Sequence, residues 1–135
     1  MKEKHFQKRM IDLVAAVVMI TGLILLFIFP SRCIGNVSKE LTSEAENAID
    51  AVFKEDWTTV ISALERMQAH FLSKKEILMM FLNHQDISEL EASIRGCLQL
   101  ARAHDNAQIL LELESIAVSS QYLDSIEKWS LFTLL

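Results

Sequence analysis

LVAAVVMITGLILLFIF, Leu13 to Phe29, is a run of seventeen residues without a charge, and its reading decides the architecture. Twelve of the seventeen are Leu, Ile, Val or Phe. Taken back to Ile11, the segment forms a helix about 28 Å long at ~1.5 Å per residue, against a bilayer hydrocarbon core of ~30 Å. Each large apolar side chain favours insertion by roughly 0.3–0.6 kcal/mol at mid-membrane, so the sum stays favourable with Thr21 and Gly22 included. Asp12 lies at the edge, where it can reach the headgroups. The expectation is one transmembrane helix from Ile11 to Phe29, and the lipid bilayer is the first partner this sequence implies.

The flanks give the span a direction. Residues 1–9 carry Lys2, Lys4, Lys8 and Arg9 against Glu3, a net +3. Only Arg32 and then Lys39 follow the span closely. Positive-inside bias places residues 1–10 in the cytoplasm as a basic N-terminal segment, and everything after the span outside. A cleaved signal peptide shares the basic-then-apolar pattern, but its apolar run is ~7–15 residues and a small-x-small site follows it. Here Pro30-Ser31-Arg32-Cys33 stands in that place, so an uncleaved anchor is expected. Arg32 before Cys33 also spoils a lipoprotein box.

The remainder is acidic: residues 31–135 hold nine Lys or Arg against sixteen Asp or Glu, a net −7. Such a domain, with no basic stripe, is a poor fit for nucleic acid or anionic lipid. Three Gly and one Pro in 135 residues argue against a turn-rich all-β fold. Leu, Glu, Ala, Lys and Gln dominate after Ser38, and these are helix formers.

Helical signals follow in order. Pro30 to Val37, with Gly35-Asn36, reads as a juxtamembrane turn and linker. Ser43-Glu44-Ala45-Glu46 matches a capping box, with Ser38 as an earlier start, and the helix extends to about Lys54. Asp56 caps a second helix with the stripe Trp57, Val60, Ile61, Leu64, Met67, Phe71, Leu78 and Leu82, which either runs on for about 26 residues or kinks at Lys74-Lys75. Asn83 or Asp86 opens a third, with Ile87, Leu90, Ile94, Cys97, Leu98 and Ala101 in near-heptad order. Asp105 or Asn106 caps a fourth, which presents Ile109, Leu110, Leu113, Ile116 and Ala117, and a separate last segment runs from Tyr122. Short links between helices imply antiparallel neighbours. The expected fold is all-α: an N-terminal transmembrane helix, residues 11–29, a linker, 30–37, and an antiparallel bundle of about four helices, 38–135. No 34-residue self-similarity marks a helical repeat.

Chemistry is sparse. Cys33 and Cys97 are too few and too far apart for a disulfide framework or a CxxC knuckle. Cys97 falls in an apolar stripe, as a small buried hydrophobe does. The densest polar cluster is Asn83-His84-Gln85-Asp86, where His84 and Asp86 are weak metal candidates that His70 or His104 could join. No HExxH or paired ExxH backs them, and a junction residue bonding a helix end is the simpler role for His84. Glu89/Glu91 and Glu112/Glu114 diverge on a helix and read as solvated faces. There is no GxSxG and no glycine-rich phosphate loop. No enzyme activity and no cofactor are expected. Met79-Met80-Phe81-Leu82 cannot all face one side of a helix, so part of that patch is a candidate contact surface.

The order of these elements is itself familiar. Asp56-Trp57 opens a helix that carries His70. The Phe81-Leu82-Asn83-His84-Gln85-Asp86-Ile87 junction follows, then Glu89-Leu90-Glu91, Ala103-His104-Asp105 and the closing Trp129-Ser130-Leu131…Leu134-Leu135. This resembles domain-of-unknown-function family 4363, bacterial and found mainly among Firmicutes, over nearly the whole chain. The tail Leu131-Phe132-Thr133-Leu134-Leu135 departs from the family in lacking an Asn. The resemblance implies a membrane-anchored helical protein of Gram-positive bacteria and no established activity. The function expected is a membrane-tethered, non-enzymatic interaction module on the outer face of the cell membrane, binding a protein partner or a second copy. The alternative is an extracytoplasmic ligand- or metal-sensing domain centred on His84 and Asp86.

Overall fold

Asp56, Asn83 and Asp105 each begin a helix, and the three caps divide the chain. In the computed structural model, which describes residues 2–134, the elements are α1 (Lys2–Phe53), α2 (Trp57–Phe81), α3 (His84–Arg102) and α4 (Asn106–Leu134). Asp56 accepts from the Thr59 N–H at 3.2 Å and from its hydroxyl at 2.6 Å. Asn83 accepts from the Gln85 N–H and Asp105 from the Gln108 N–H, at 3.0 and 3.1 Å. Each bond satisfies a first-turn donor that the helix leaves without a partner. The Thr59 bonds favour the ionised Asp56, hydroxyl first, and hold its carboxyl below the usual range. The stabilisation from that cap is therefore present above the ordinary carboxylate pKa and lost only as pH falls through the depressed one.

Each helix packs on its chain neighbours, and α4 closes back on α1; the diagonal pairs α1–α3 and α2–α4 bring no Cα atoms within 8 Å of each other among the described residues. The result is an up-down four-helix bundle around one core, in which Leu41, Leu64, Phe71, Ile94, Ile109 and Leu113 are buried. Two polar links set the register. The Arg66 guanidinium grips Glu44 through two 3.0 Å bonds, and the Ser38 hydroxyl donates to the Ser120 carbonyl at 2.6 Å inside the core. Lys75 pairs with Glu91 across α2 and α3. No break occurs at Lys74-Lys75: α2 is one helix of 25 residues.

The linker expected at residues 30–37 is absent, because α1 runs through it without interruption. Pro30 leaves the carbonyl four residues earlier without its usual donor, a cost of about 3 kcal/mol in a helix interior. The buried series Ile34, Val37, Leu41, Ala45, Ala48 and Val52 keeps helical spacing from that point onward and offsets the loss by packing. Gly35 is helical too and faces α4; a Cβ there would meet the Asp124 Oδ1 at an ordinary contact distance of 3.5 Å. The Ser43 capping box likewise lies inside α1. The separate last segment expected from Tyr122 is instead the continuation of α4. Its polar-looking Ser120 is buried, with the hydroxyl donating to the Ile116 carbonyl at 2.8 Å.

The two turns at the far end of the bundle share one design. Glu55 (φ 54°) and His104 (φ 55°) both adopt the left-handed conformation. The Glu55 N–H donates to Val52 and the Asp56 N–H to Ala51; His104 donates to Ala101 and Asp105 to Leu100. Both are Schellman closures without the usual glycine. The His104 ring stacks on Trp57 with centroids 4.7 Å apart, which joins the two turns. Replacing Glu55 with glycine removes a backbone cost of ~1 kcal/mol and should raise the thermal midpoint in mild detergent. His104→Gly relieves the same cost but loses the stack, so its midpoint should rise less or fall.

Candidate functional site

Three surfaces carry the residues that the sequence singles out. The first is the start of α3. His84 and Asp86 are both exposed, and Asp86 borders a cleft of about 190 Å³ between α3 and α4 with Glu89, Ser93, Ser119 and Tyr122. That is below the ~300–1,000 Å³ of most small-molecule sites. His84 does not line it. His70 lies half-buried in mid-α2 with its Nε2 enclosed and without a protein partner. His104 stands past the other end of α3, about 28 Å away along the 19-residue helix. The imidazoles that could join His84 are therefore held apart, and no three His, Cys, Asp or Glu side chains converge among the described residues.

The second surface is the Met79–Leu82 stretch at the α2–α3 junction. The helix divides it: Met79 and Leu82 are half-buried against the core, while Met80 is 76% and Phe81 47% exposed.

The third surface was not legible as a site from the sequence, where α4 reads as one more core helix. Leu111, Val118 and Tyr122 are each more than 60% exposed. At ~100° per residue they lie within about 20° of one line, opposite the buried face of Ile109, Leu113, Ile116 and Ser120. Helix α4 is thus apolar outward as well as inward, unlike α3, whose outer face is polar. The signal available was the i, i+7, i+11 spacing of these residues, which falls out of phase with the core stripe.

Along α1, the large apolar residues from Met10 to Phe29 are all exposed, so this half of the helix lies outside the bundle. It is long and apolar enough to cross a membrane, and the exposure separates it from a buried core helix.

Cys97 is buried, and that burial, with a smaller contribution from Glu112, pushes its thiol up to about 12. It is a packing residue, protonated at neutral pH, and thiols react as thiolates. In mild detergent a maleimide should modify Cys33 alone, and Cys97 only after denaturation. Modification of both thiols at equal rates in the folded protein would contradict this placement.

The family called domain of unknown function (DUF4363) matches residues 28–133, and the chain belongs to it. No curated protein and no solved structure matches the chain.

Proposed function

We propose that this DUF4363 protein is a single-pass membrane protein whose N-terminal helix holds a four-helix bundle at the outer face of a bacterial membrane. There the bundle serves as a non-enzymatic interaction module that contacts a protein partner or a second copy. The outward stripe of α4 carries the reading: Leu111, Val118 and Tyr122 form an apolar line on an otherwise acidic domain. Large exposed apolar side chains aligned along one helix face, here interrupted by Ser115, differ from hydrophobes scattered singly over a surface. The orientation is supported by the net +3 ahead of the span.

The unbroken α1 gives the module a definite geometry. A flexible linker would let the bundle sample many orientations, whereas a continuous helix fixes the stripe relative to the bilayer plane. Position near the membrane is then the working property of the domain, in place of bond-making chemistry.

A photo-crosslinking residue at Val118 in the full-length protein, in native membranes, tests the proposal. A discrete adduct at this position, absent when the same residue replaces Glu65 on the exposed face of α2, is the expected result. Equal or no adducts at both positions would refute the contact surface.

A further inference from the structure

We infer that the near end of the bundle is itself seated in the bilayer interface, through the exposed Met80-Phe81 turn and the last turns of α4. The inference rests on the anchoring proposed above, and it follows from helix register. Phe81 lies fifteen residues past Arg66 on α2; Phe29 lies fifteen residues before Glu44 on antiparallel α1. The Arg66–Glu44 pair therefore puts Phe81 level with Phe29, about 22 Å along the axis from that pair at ~1.5 Å per residue. Ser120 bonds Ser38, and Asp124 meets Gly35. By that register Lys128 is level with Pro30, and Phe132 with Leu26.

The boundary of the apolar span thus runs across three helices. Level with it stands the exposed Phe81, and on its membrane side the exposed Phe132. At the boundary stand Arg32, exposed and long enough to reach headgroups, and the exposed Lys128, paired with Asp124 at 2.8 Å. The occupant of this apolar end is therefore lipid, continuous with the lipid around α1. Seating is shallow, because the last carbonyls of α4 need water or headgroup donors. Phe132 lies only ~4.5 Å deeper than Phe29, within the roughly 5–10 Å limit to which apolar faces of interfacial helices penetrate. Acidic groups stand at the same level, among them Asp86, Glu89 and Asp124. The contact is accordingly apolar and does not depend on anionic lipid.

Site-directed spin labels on the full-length protein in phosphatidylcholine vesicles test this directly. With Cys33→Ser as background, labels go on Met80→Cys, Phe132→Cys, Glu114→Cys and Val18→Cys, one at a time. The ratio of oxygen to nickel-chelate accessibility should be several-fold higher at 80 and 132 than at 114, and highest at 18. Low ratios at 80 and 132 with a high ratio at 18 would overturn the seating and leave the anchor standing. A low ratio at 18 would overturn the anchor and the seating together.

Discussion

Phe71→Ala should lower the unfolding free energy of the bundle by about 3–5 kcal/mol, the range for a buried aromatic cut to alanine. Phe71 has no exposed surface and is the largest side chain so enclosed among the described residues. The loss combines its transfer free energy with the cavity that four helices, each held by two neighbours, can close only in part. A domain of this size has roughly 5–15 kcal/mol in total, so a large fraction of its stability goes with one ring. Leu72, the adjacent residue, is 47% exposed, and Leu72→Ala should cost far less. Chemical denaturation in mild detergent, followed by circular dichroism, measures both. Equal losses for the two variants would mean that the described face of α2 is not the one that packs.

The second large effect concerns the anchor. Ile20 and Ile24 lie one turn apart near the middle of the span, and both are exposed. Arginine at mid-membrane costs roughly 2.5–3.5 kcal/mol on the insertion scale, where Ile contributes roughly −0.3 to −0.6. The double variant Ile20→Arg, Ile24→Arg therefore shifts the balance by about 6–8 kcal/mol and reverses the sign of insertion. Most of the protein should move from the carbonate-resistant membrane fraction to the soluble or degraded pool. Leu at both positions should leave it membrane-bound. A double-arginine variant that remained carbonate-resistant would show that residues 11–29 are not the anchor.

Much of the fold could be read in the sequence because its helices begin with strong local signals. Asp56, Asn83 and Asp105 cap where a short side-chain acceptor precedes an apolar stripe; the α3 stripe is buried throughout, and the α2 stripe is buried except for the half-buried Trp57, Ile61 and Leu82. The misreadings share one cause. Pro30 and Gly35-Asn36 are local signals for a break or turn, and packing overrides both. Pro30 is followed by a buried series that continues into the bundle, and Gly35 faces α4. Local preference amounts to about one to three kcal/mol per residue, which a full row of buried contacts exceeds.

The candidate surfaces divide in the same way. Met80 and Phe81 were visible as an apolar cluster too wide for one helix face. That they stand level with Phe29 needed the Glu44–Arg66 register, which joins residues 22 positions apart. The α4 stripe was hidden because every residue in it also suits a core helix; only the phase of the buried face separates the two. His84 and Asp86 lie close in sequence, but the partners they would need are spread along the bundle.

Membrane orientation is the central claim, and labelling from one side tests it most directly. In a Cys33→Ser background, Gln7→Cys and Glu114→Cys each place a thiol at an exposed position, while Cys97 stays buried. A membrane-impermeant maleimide added to intact cells should label Glu114→Cys, and label Gln7→Cys only after permeabilisation. Labelling of Gln7→Cys in intact cells, with Glu114→Cys protected until lysis, would contradict the account.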